Sequence, residues 1–261
     1  MLLGVLLLTH CRQEMRAIKR SEKAFKWHSQ GEYIQSAERF LELANDYPES
    51  NFYPQNLWNA AWSFQEGEDF NRARQVYRRI LSEHLNDAQP DSSRGLWETH
   101  ANYQHYACRN IAAISMKEEN YPDALLWLDS ADFVYPYINK HPKQLKRAHM
   151  AMDHMRSDCY YALGQTEEAF LVLLPHALIK SPWHRHPSVE RCMEIIVEHF
   201  DPDRIAADVL KAIEQRQVLP GLVRIRFRNH PMELIPFEGG VETLHLDDFK
   251  NSDFYRTLCI P

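Results

Sequence analysis

Histidine is the first side chain to suggest chemistry, since 14 of the 261 residues are histidines. A transition-metal site needs three or four ligands, and helical metal motifs place two histidines four residues apart. The chain has neither HExxH nor His-x-x-x-His, and His149 and His154, five apart, would lie on different faces of a helix. We therefore expect no metal and no cofactor. A site at His184 and His186 with a third ligand is the alternative to a proline-bounded polar turn.

The sequence carries no motif typical of catalysis or of nucleic-acid binding. The sequence contains no Gly-rich phosphate loop, Gly-x-Ser-x-Gly elbow or kinase motif, and the paired Asp247 and Asp248 fall in a polar turn region. A nucleic-acid binder usually needs a basic face, whereas this chain has a formal net charge of −6 with scattered basic residues. We expect no catalytic residue and no nucleic-acid partner.

The five cysteines lie far apart, at positions 11, 108, 159, 192 and 259, and form no CxxC pair. Zinc knuckles and thioredoxin-like sites are thereby excluded. Cys108 and Cys159 fall on apolar helical faces, which favours buried free thiols. Two disulfides among the four cysteines other than Cys11 are the alternative.

A short pattern recurs along most of the chain. Its first copy is Gly31-Glu-Tyr-Ile-Gln-Ser-Ala-Glu-Arg-Phe40, in which a turn precedes an aromatic, a small residue and a second aromatic, and Pro48 follows. A small residue lets two helices approach closely, aromatics fill the space beside that contact, and proline ends the helix. The pattern resembles the second half of a tetratricopeptide repeat, and such repeats are the signature of a helical solenoid.

Three further units follow the first. Their matching residues are Leu57, Ala60, Ala61, Phe64, Phe70, Ala73, Tyr77 and Ile80 in the second, Cys108, Ile111, Ala112, Ser115, Tyr121, Ala124, Leu128 and Ala131 in the third, and Tyr160, Gly164, Ala169 and Leu173 in the fourth. The step from the second to the third unit is the longest, which predicts an insertion near 86–94. A fifth, degenerate pair is predicted from Val189 to Ile213, where Asp201-Pro202 is a helix-start signal.

The hydrophobic period changes after Gln217 from that of a helix to that of a strand. Val223, Ile225 and Phe227 alternate with arginines, and residues 232–237 and 241–246 supply further strands. A small antiparallel sheet of this kind is marginal alone, so we expect it to pack on the last helices or on another chain.

Arg224, Arg226 and Arg228 are the arginines of this alternation. We interpret them as an outward, solvated face that discourages edge-to-edge pairing. An anion-binding edge is the alternative.

The predicted fold is therefore mainly α. It is an α-α superhelix, a TPR-like solenoid of four to five helix pairs, with a small C-terminal antiparallel β appendage. The predicted division is an N-terminal segment over 1–16, the repeat domain over 17–216 and the β-rich segment over 217–261.

In tetratricopeptide families the first helix of each pair lines a concave groove. Carried over onto this chain, the resemblance implies a partner-binding groove lined by Phe25, His28, Gln55, Trp58, Trp62, Gln65, Tyr106, Arg109, Met116, Lys117, His154, Asp158 and Tyr161.

Trp58 and Trp62 carry the functional hypothesis. They are four residues apart and therefore share a helical face, while other residues of the same helix fill the packing positions. Rigid aromatics facing a groove suit peptide binding, and Arg109 and Lys117 add contacts for a carboxylate. The alternative is that both tryptophans pack on a neighbouring first helix or under the N-terminal segment.

The N-terminal segment has a Leu-rich run that ends at Cys11 and is too short to span a bilayer. It resembles the end of a bacterial lipoprotein signal, in which the cysteine is lipidated. The segment Tyr47-Pro-Glu-Ser-Asn-Phe-Tyr-Pro54 resembles the linker of bacterial envelope repeat proteins such as the BamD and Tol-Pal accessory families. These resemblances imply a lipid anchor at Cys11 and a periplasm-facing location in the cell envelope. Alternatively, the leucines form a helical cap on the first repeat.

The sequence thus predicts a non-enzymatic scaffold that binds a protein or peptide in its concave groove. The competing hypothesis is a cytoplasmic regulatory or recruiting module that docks on a catalytic or signalling partner.

Overall fold

A computed structural model describes residues 20–85, 102–139, 141–179, 187–235 and 252–259 of the chain. The chain forms two compact units, Met1–Asn139 and Lys140–Pro261. The prediction divided the chain differently, by element type, with its boundary between 216 and 217.

The first unit consists of consecutive helix pairs. The helices are α1 over 20–29, α2 (Tyr33–Asp46), α3 (Tyr53–Glu66), α4 (Phe70–Ser82), α5 (Tyr103–Lys117) and α6 (Tyr121–Asp129), the last continued by a π-helical turn, Ser130–Val134. Helix α3 packs on both α2 and α4, and α5 packs on both α4 and α6. From α3 to α5, each helix therefore contacts the helix before it and the helix after it, as repeat units require.

Small residues lie where these helices touch. Ala37, Ala60, Ala73, Ala112 and Ala124 are completely buried, which lets neighbouring helices approach closely. Large residues of the repeat pattern fill the space around them, and these are Phe40, Leu57, Phe64, Tyr77, Ile80, Ile111 and Leu128. The predicted packing pattern of the first three units is confirmed.

One turn geometry joins the two helices within each of the first four pairs. At Gly31, Glu68, Glu119 and Gly164 the backbone has a positive φ between 59° and 80°. At each turn the following residue donates its N–H to a carbonyl near the end of the first helix, as Asn120 does to Ser115 at 2.8 Å. This left-handed residue ends the first helix and reverses the chain, which favours glycine there.

The second unit adds helices and a sheet. Its elements are α7 (Pro142–Ala162), α8 (Thr166–Ala177), α9 (Pro187–His199), α10 (Pro202–Glu214), β1 (Gln217–Leu219), β2 (Leu222–Phe227), β3 (His230–Leu234) and α11 (Asp253–Cys259). The Asp201 carboxylate accepts hydrogen bonds from the N–H groups of Asp203 and Arg204, with Pro202 as the first helical residue. The predicted fifth pair and its start signal are confirmed.

The sheet is antiparallel, with strand order β1-β2-β3. Strand β1 was not predicted, because three residues are too few to show an alternation. Val223, Ile225 and Phe227 are buried and share one core with residues of α8, α9, α10 and α11. The Phe170 and Phe227 rings, for example, meet edge-to-face with centroids 5.8 Å apart. The expectation that the sheet packs on the last helices is confirmed.

The outward arginine face needs one correction. Arg224 and Arg226 are exposed, and Arg224 donates to Glu233 across the strand pair at 2.6 Å. Arg228, by contrast, lies past the strand end with φ 51°. Its guanidinium donates to Asp208 at 2.8 Å and Glu167 at 3.1 Å, so it ties the hairpin turn to α10 and α8.

Several predictions fall outside the described residues. These concern the N-terminal segment 1–16 with Cys11, the insertion near 86–94, the pair His184 and His186, the strand at 241–246 and the pair Asp247 and Asp248. Cys108, Cys159 and Cys192 are buried free thiols, as predicted for the first two. Within the described ranges, no helix is long and apolar enough to cross a bilayer.

Candidate binding surface

Helix α3 carries the two tryptophans. It begins at Tyr53 with Pro54 in its first turn, where proline is tolerated because its missing N–H would have no helical partner. Leu57, Ala60, Ala61 and Phe64 form its completely or almost completely buried side. Trp58 and Trp62 therefore project from a different side of the helix.

Trp58 is half-buried inside a cluster of aromatic rings. Its ring centroid lies 5.6 Å from Tyr77 of α4, and 6.1 and 5.7 Å from Tyr103 and Tyr106 of α5. Such contacts add to the free energy of area burial alone. Trp58 therefore joins the first helices of two successive pairs while it keeps part of its surface accessible.

Trp62 is more open, with 40% of its surface exposed. Its ring lies 4.3 Å from that of His28 on α1. The His28 Nδ1 in turn lies 3.0 Å from the Ser63 hydroxyl, and the imidazole meets the Tyr33 ring edge-to-face. The imidazole is thereby held as a platform for the tryptophan. The two interpretations of these tryptophans were exposure to a groove and packing on a neighbouring first helix. Both tryptophans do both in part, since each contacts a neighbouring first helix and each stays partly accessible.

A polar network fixes the helices behind this surface. The fully buried Tyr77 hydroxyl accepts from the Asn110 amide at 2.8 Å and donates to Gln65 Oε1 at 2.9 Å. Burial raises the pKa of Tyr77, so this phenol stays protonated. The network links α3, α4 and α5, and it orients Gln65 from the predicted set.

Arg109 completes the surface on α5. Its guanidinium carbon lies 5.5 Å from the centre of the Tyr106 ring, the ring that also contacts Trp58. Among the described residues it forms no ion pair with a carboxylate. We name His28, Trp58, Trp62, Tyr106 and Arg109 the aromatic surface.

Asn59 was not among the predicted residues, yet it borders the aromatic surface. It follows Trp58 directly, lies three residues before Trp62, and is only 8% exposed. Its amide nitrogen is buried without a hydrogen-bond partner in the described part of the chain. Native proteins rarely leave such a donor unpaired, so a buried water is its expected partner. In the sequence, the position of this polar residue next to Trp58 and near Trp62 is the signal that could have drawn attention to Asn59.

The remaining predicted residues of the first unit lie around this surface. The exposed Phe25 ring packs edge-to-face on Phe40 at 4.9 Å, and the Lys117 ammonium lies 5.4 Å from the Phe70 ring. Gln55 and Met116 are half-buried. Phe25 and Lys117 therefore contact second helices rather than the aromatic surface.

The predicted residues of the second unit are engaged within it. His154 Nε2 lies 2.9 Å from the Ser188 hydroxyl, and Asp158 forms a 3.6 Å ion pair with Arg191. The Tyr161 hydroxyl donates to Glu198 at 2.5 Å. All three therefore tie α7 to α9, and their polar groups are already paired.

His105 and His176 also have structural partners, and His176 Nε2 lies 2.8 Å from the Asp153 carboxylate. The buried His105 Nδ1 lies 3.1 Å from the carbonyl oxygens of Ala131 and Tyr135 and holds the π-helical turn against α5. Desolvation lowers the pKa of His105, which favours its neutral form. Within the described residues, no group of three or more His, Cys, Asp or Glu side chains could hold a metal ion.

Comparison with known proteins identifies one repeat directly. A tetratricopeptide repeat family model matches residues 55–84, which cover most of α3 and all of α4. Tetratricopeptide repeats are generally non-enzymatic scaffolds that bind protein partners. No curated protein matches the sequence.

Solved structures of repeat proteins are similar to this chain. Repeats of a putative kinesin light chain from Podosopora anserina are 14% identical, with a TM-score of 0.49 over 70% of this chain and 85% of that one. A double mutant of MamA from RS-1 is 14% identical, with a TM-score of 0.47 over 76% of this chain and 93% of that one.

The structure and the family match agree on the architecture. Residues 55–84 form a helix pair with buried small residues at the contact, and the same turn recurs before and after it. The chain therefore contains a tetratricopeptide repeat within a mainly α fold of TPR-like helix pairs, with a three-stranded antiparallel sheet near its C-terminus.

Proposed function

We propose that this chain is a non-enzymatic scaffold that binds a peptide segment of a partner protein on the aromatic surface of its first unit. The observation that carries the proposal is the position of Trp58 and Trp62. Both project away from the packed side of α3 and remain partly accessible. Partly exposed aromatics on a rigid framework are the usual anchors of a protein interface.

Unused hydrogen-bonding capacity supports the same proposal. Neither indole N–H donates to another residue in the described ranges, and the Arg109 guanidinium lacks a carboxylate partner there. In the second unit the predicted groove residues of α7 instead use their polar groups to bond to α9. The first unit therefore has the capacity that a ligand needs.

Charge restricts the kind of segment that fits. The described first helices, 20–29, Tyr53–Glu66 and Tyr103–Lys117, contain five Lys or Arg and two Asp or Glu, a net charge of +3 (5 − 2), whereas the whole chain carries −6. Like charges repel across an interface. A neutral or acidic segment is therefore favoured over a basic one.

Selection from a random peptide library tests the proposal. Peptides selected on the full chain are expected to lose at least about thirtyfold in affinity for Trp58→Ala, as hot-spot tryptophans do. The matched control is Trp127→Ala on α6, where Arg78 lies over the ring 6.0 Å away. Equal affinities for wild type and Trp58→Ala, with folding verified by circular dichroism, would refute the proposal.

We also propose that Cys11 carries a lipid that anchors the scaffold in a bacterial envelope. The Leu-rich run that ends at this cysteine supports the proposal. Cell fractionation is expected to find the wild type with membranes and Cys11→Ala in the soluble fraction. If both fractionate identically, the anchor is excluded, and the hypothesis of a cytoplasmic recruiting module takes its place.

A further inference from the structure

The chain that leaves the π-helical turn is bonded to the start of α5. We name residues 135–139 the linker segment. Asn102 occupies the N-cap position of α5, but its side chain makes no capping hydrogen bond. Instead its amide nitrogen donates to the Ile138 carbonyl at 2.9 Å, and its amide oxygen accepts from the Ile138 N–H at 2.7 Å. His105 Nδ1 lies 3.1 Å from the Tyr135 carbonyl oxygen. Two polar side chains therefore hold the backbone of the linker segment at both ends.

The linker segment buries a single side chain. Pro136 is exposed and Ile138 is 55% exposed, whereas Tyr137 between them is only 7% exposed. The Tyr137 ring centroid lies 5.3 Å from that of His105 and 6.0 Å from that of Tyr106. The hydrogen bonds before and after Tyr137 fix the backbone from which this ring projects. The segment is therefore arranged so that one aromatic ring packs on α5.

Tyr106 is consequently contacted by two elements besides its own helix. Trp58 of α3 lies 5.7 Å from its ring, and Tyr137 of the linker segment lies 6.0 Å from it. The Arg109 guanidinium in turn lies 5.5 Å from the centre of the same ring. A second ring contact restricts the side-chain torsions that a half-buried tyrosine could otherwise sample. Side chains that are already ordered lose less entropy when a partner binds.

We propose that Tyr137 is a positioning residue of the aromatic surface, which holds the Tyr106 ring in the arrangement that binds the partner segment. This inference rests on the proposed function and adds a residue that need not contact the partner itself. Tyr137 lies outside the first helices of the pairs, so the resemblance to tetratricopeptide repeats implied no role for it. It acts through Tyr106, which also contacts Trp58 and Arg109.

The affinity of library-selected peptides for variants of the full chain tests the inference. Tyr137→Leu is expected to bind them about fivefold more weakly, the worth of one aromatic pair. Tyr137→Phe keeps the ring and loses only a hydroxyl that accepts from the Asn139 amide at 3.1 Å, so it should bind like the wild type. The matched control is Phe40→Leu, which also removes a buried ring but one that packs on Phe25. This control should lower stability and leave the affinity unchanged.

A double-variant cycle shows whether Tyr137 acts through Tyr106. Tyr106→Leu is expected to weaken peptide binding by itself. Addition of Tyr137→Leu to Tyr106→Leu should then weaken binding by less than about twofold, because residues that act through one contact are not additive. If the two losses multiply, Tyr137 does not act through Tyr106, and the inference is overturned.

Asn102→Ala carries the test if Tyr137→Leu loses its helical circular dichroism. This variant removes both hydrogen bonds to Ile138, and it removes no capping bond of α5. We expect weaker peptide binding and, in the free protein, a shifted indole ¹H–¹⁵N resonance of Trp58. Unchanged affinity for Asn102→Ala would overturn the inference in that case.

The outcomes distinguish this inference from the proposed function. If selected peptides bind less tightly to Trp58→Ala but equally to the wild type and Tyr137→Leu, the inference is overturned and the proposed function stands. If no selected peptide depends on Trp58, both are overturned.

Discussion

Trp58 packs between repeat pairs and is also the residue that we propose to bind a partner. Its ring lies between Tyr77 on one helix and Tyr106 on another, and this contact fixes its position. A residue fixed in this way loses little conformational entropy when a ligand arrives. In the proposed function, the same packing that stabilises the repeat pair also holds the ring in place for a partner.

Tyr77 makes the clearest residue-level prediction for stability. Tyr77→Phe removes both hydrogen bonds of the hydroxyl and leaves the Asn110 amide without its acceptor. We expect a loss of about 1–3 kcal/mol in the free energy of unfolding. Urea denaturation measures it, with Tyr33→Phe as control, because the half-buried Tyr33 makes a ring contact with His28. Equal losses in both variants would contradict the network.

The lowered pKa of His154 leads to a prediction of how the free energy of unfolding depends on pH. Burial lowers the pKa of His154 below its ordinary value of 6.5, and the neighbouring His176 and Arg191 act in the same direction, against the carboxylates of Asp153 and Asp158. The unfolded chain then binds the proton more readily than the folded chain, so this contribution is full above pH 6.5 and is lost as the pH falls below it.

Urea denaturation at pH 7.5 and pH 5.5 measures this effect. The free energy of unfolding should be lower at pH 5.5, and His154→Gln should reduce the difference. His149→Gln, which changes an exposed histidine of the same helix, is the control. A pH dependence that His154→Gln leaves unaltered would show that this residue does not cause it.

The sequence predicted these residues unevenly. Spacing alone placed Trp58 and Trp62 on one face, because a helix has a fixed period. It did not reveal that Trp58 would contact tyrosines of both α4 and α5, because that depends on how helices distant in sequence pack. For the same reason the paired state of His154, Asp158 and Tyr161 could not be predicted.

At the scale of elements, the turns between paired helices give a test of the repeat. Glu119 occupies with φ 59° the left-handed position that Gly164 occupies with φ 74° in the fourth pair. Glu119→Gly should raise the free energy of unfolding by about 1 kcal/mol, because side chains are strained there. Gly164→Ala should lower it by a similar amount. Thermal denaturation compares the two, and changes of the same sign would contradict the shared geometry.

Because the sheet shares the core of the second unit, removal of one of its buried side chains is expected to lower stability strongly. Phe227 is completely buried against Phe170, whereas Phe133 on the π-helical turn is 82% exposed. Phe227→Ala should cost about 3–5 kcal/mol, and the control Phe133→Ala should change stability by less than about 0.5 kcal/mol. Chemical denaturation measures both. A small effect of Phe227→Ala would mean that the sheet is an independent appendage.

Element types were more predictable than their association. Helix pairs follow from a strong periodicity and from start signals such as Asp201-Pro202, and β2 follows from its alternation. Arg228 was assigned to the strand face because it continues the alternation, yet the chain turns there and the side chain reaches Asp208. The alternation of apolar residues and arginines does not show where the strand ends, because Arg228 continues the alternation in sequence while its backbone takes a left-handed conformation.

At the scale of the molecule, the two units use similar helix pairs differently. In the first, an aromatic surface keeps donors without partners among the described residues, whereas in the second the corresponding side chains are bonded to α9. The second unit also buries a sheet against its helices. We therefore propose that the first unit is the one that recognises a partner.

The indole region of a ¹H–¹⁵N spectrum of the full chain tests this assignment most directly. The chain has six tryptophans, and Trp→Phe variants assign the resonances of Trp58, Trp62 and Trp127. On titration with a peptide selected from the library, we expect the Trp58 and Trp62 resonances to shift in proportion to binding while that of Trp127 stays in place. Saturable binding that leaves both Trp58 and Trp62 unshifted would contradict it.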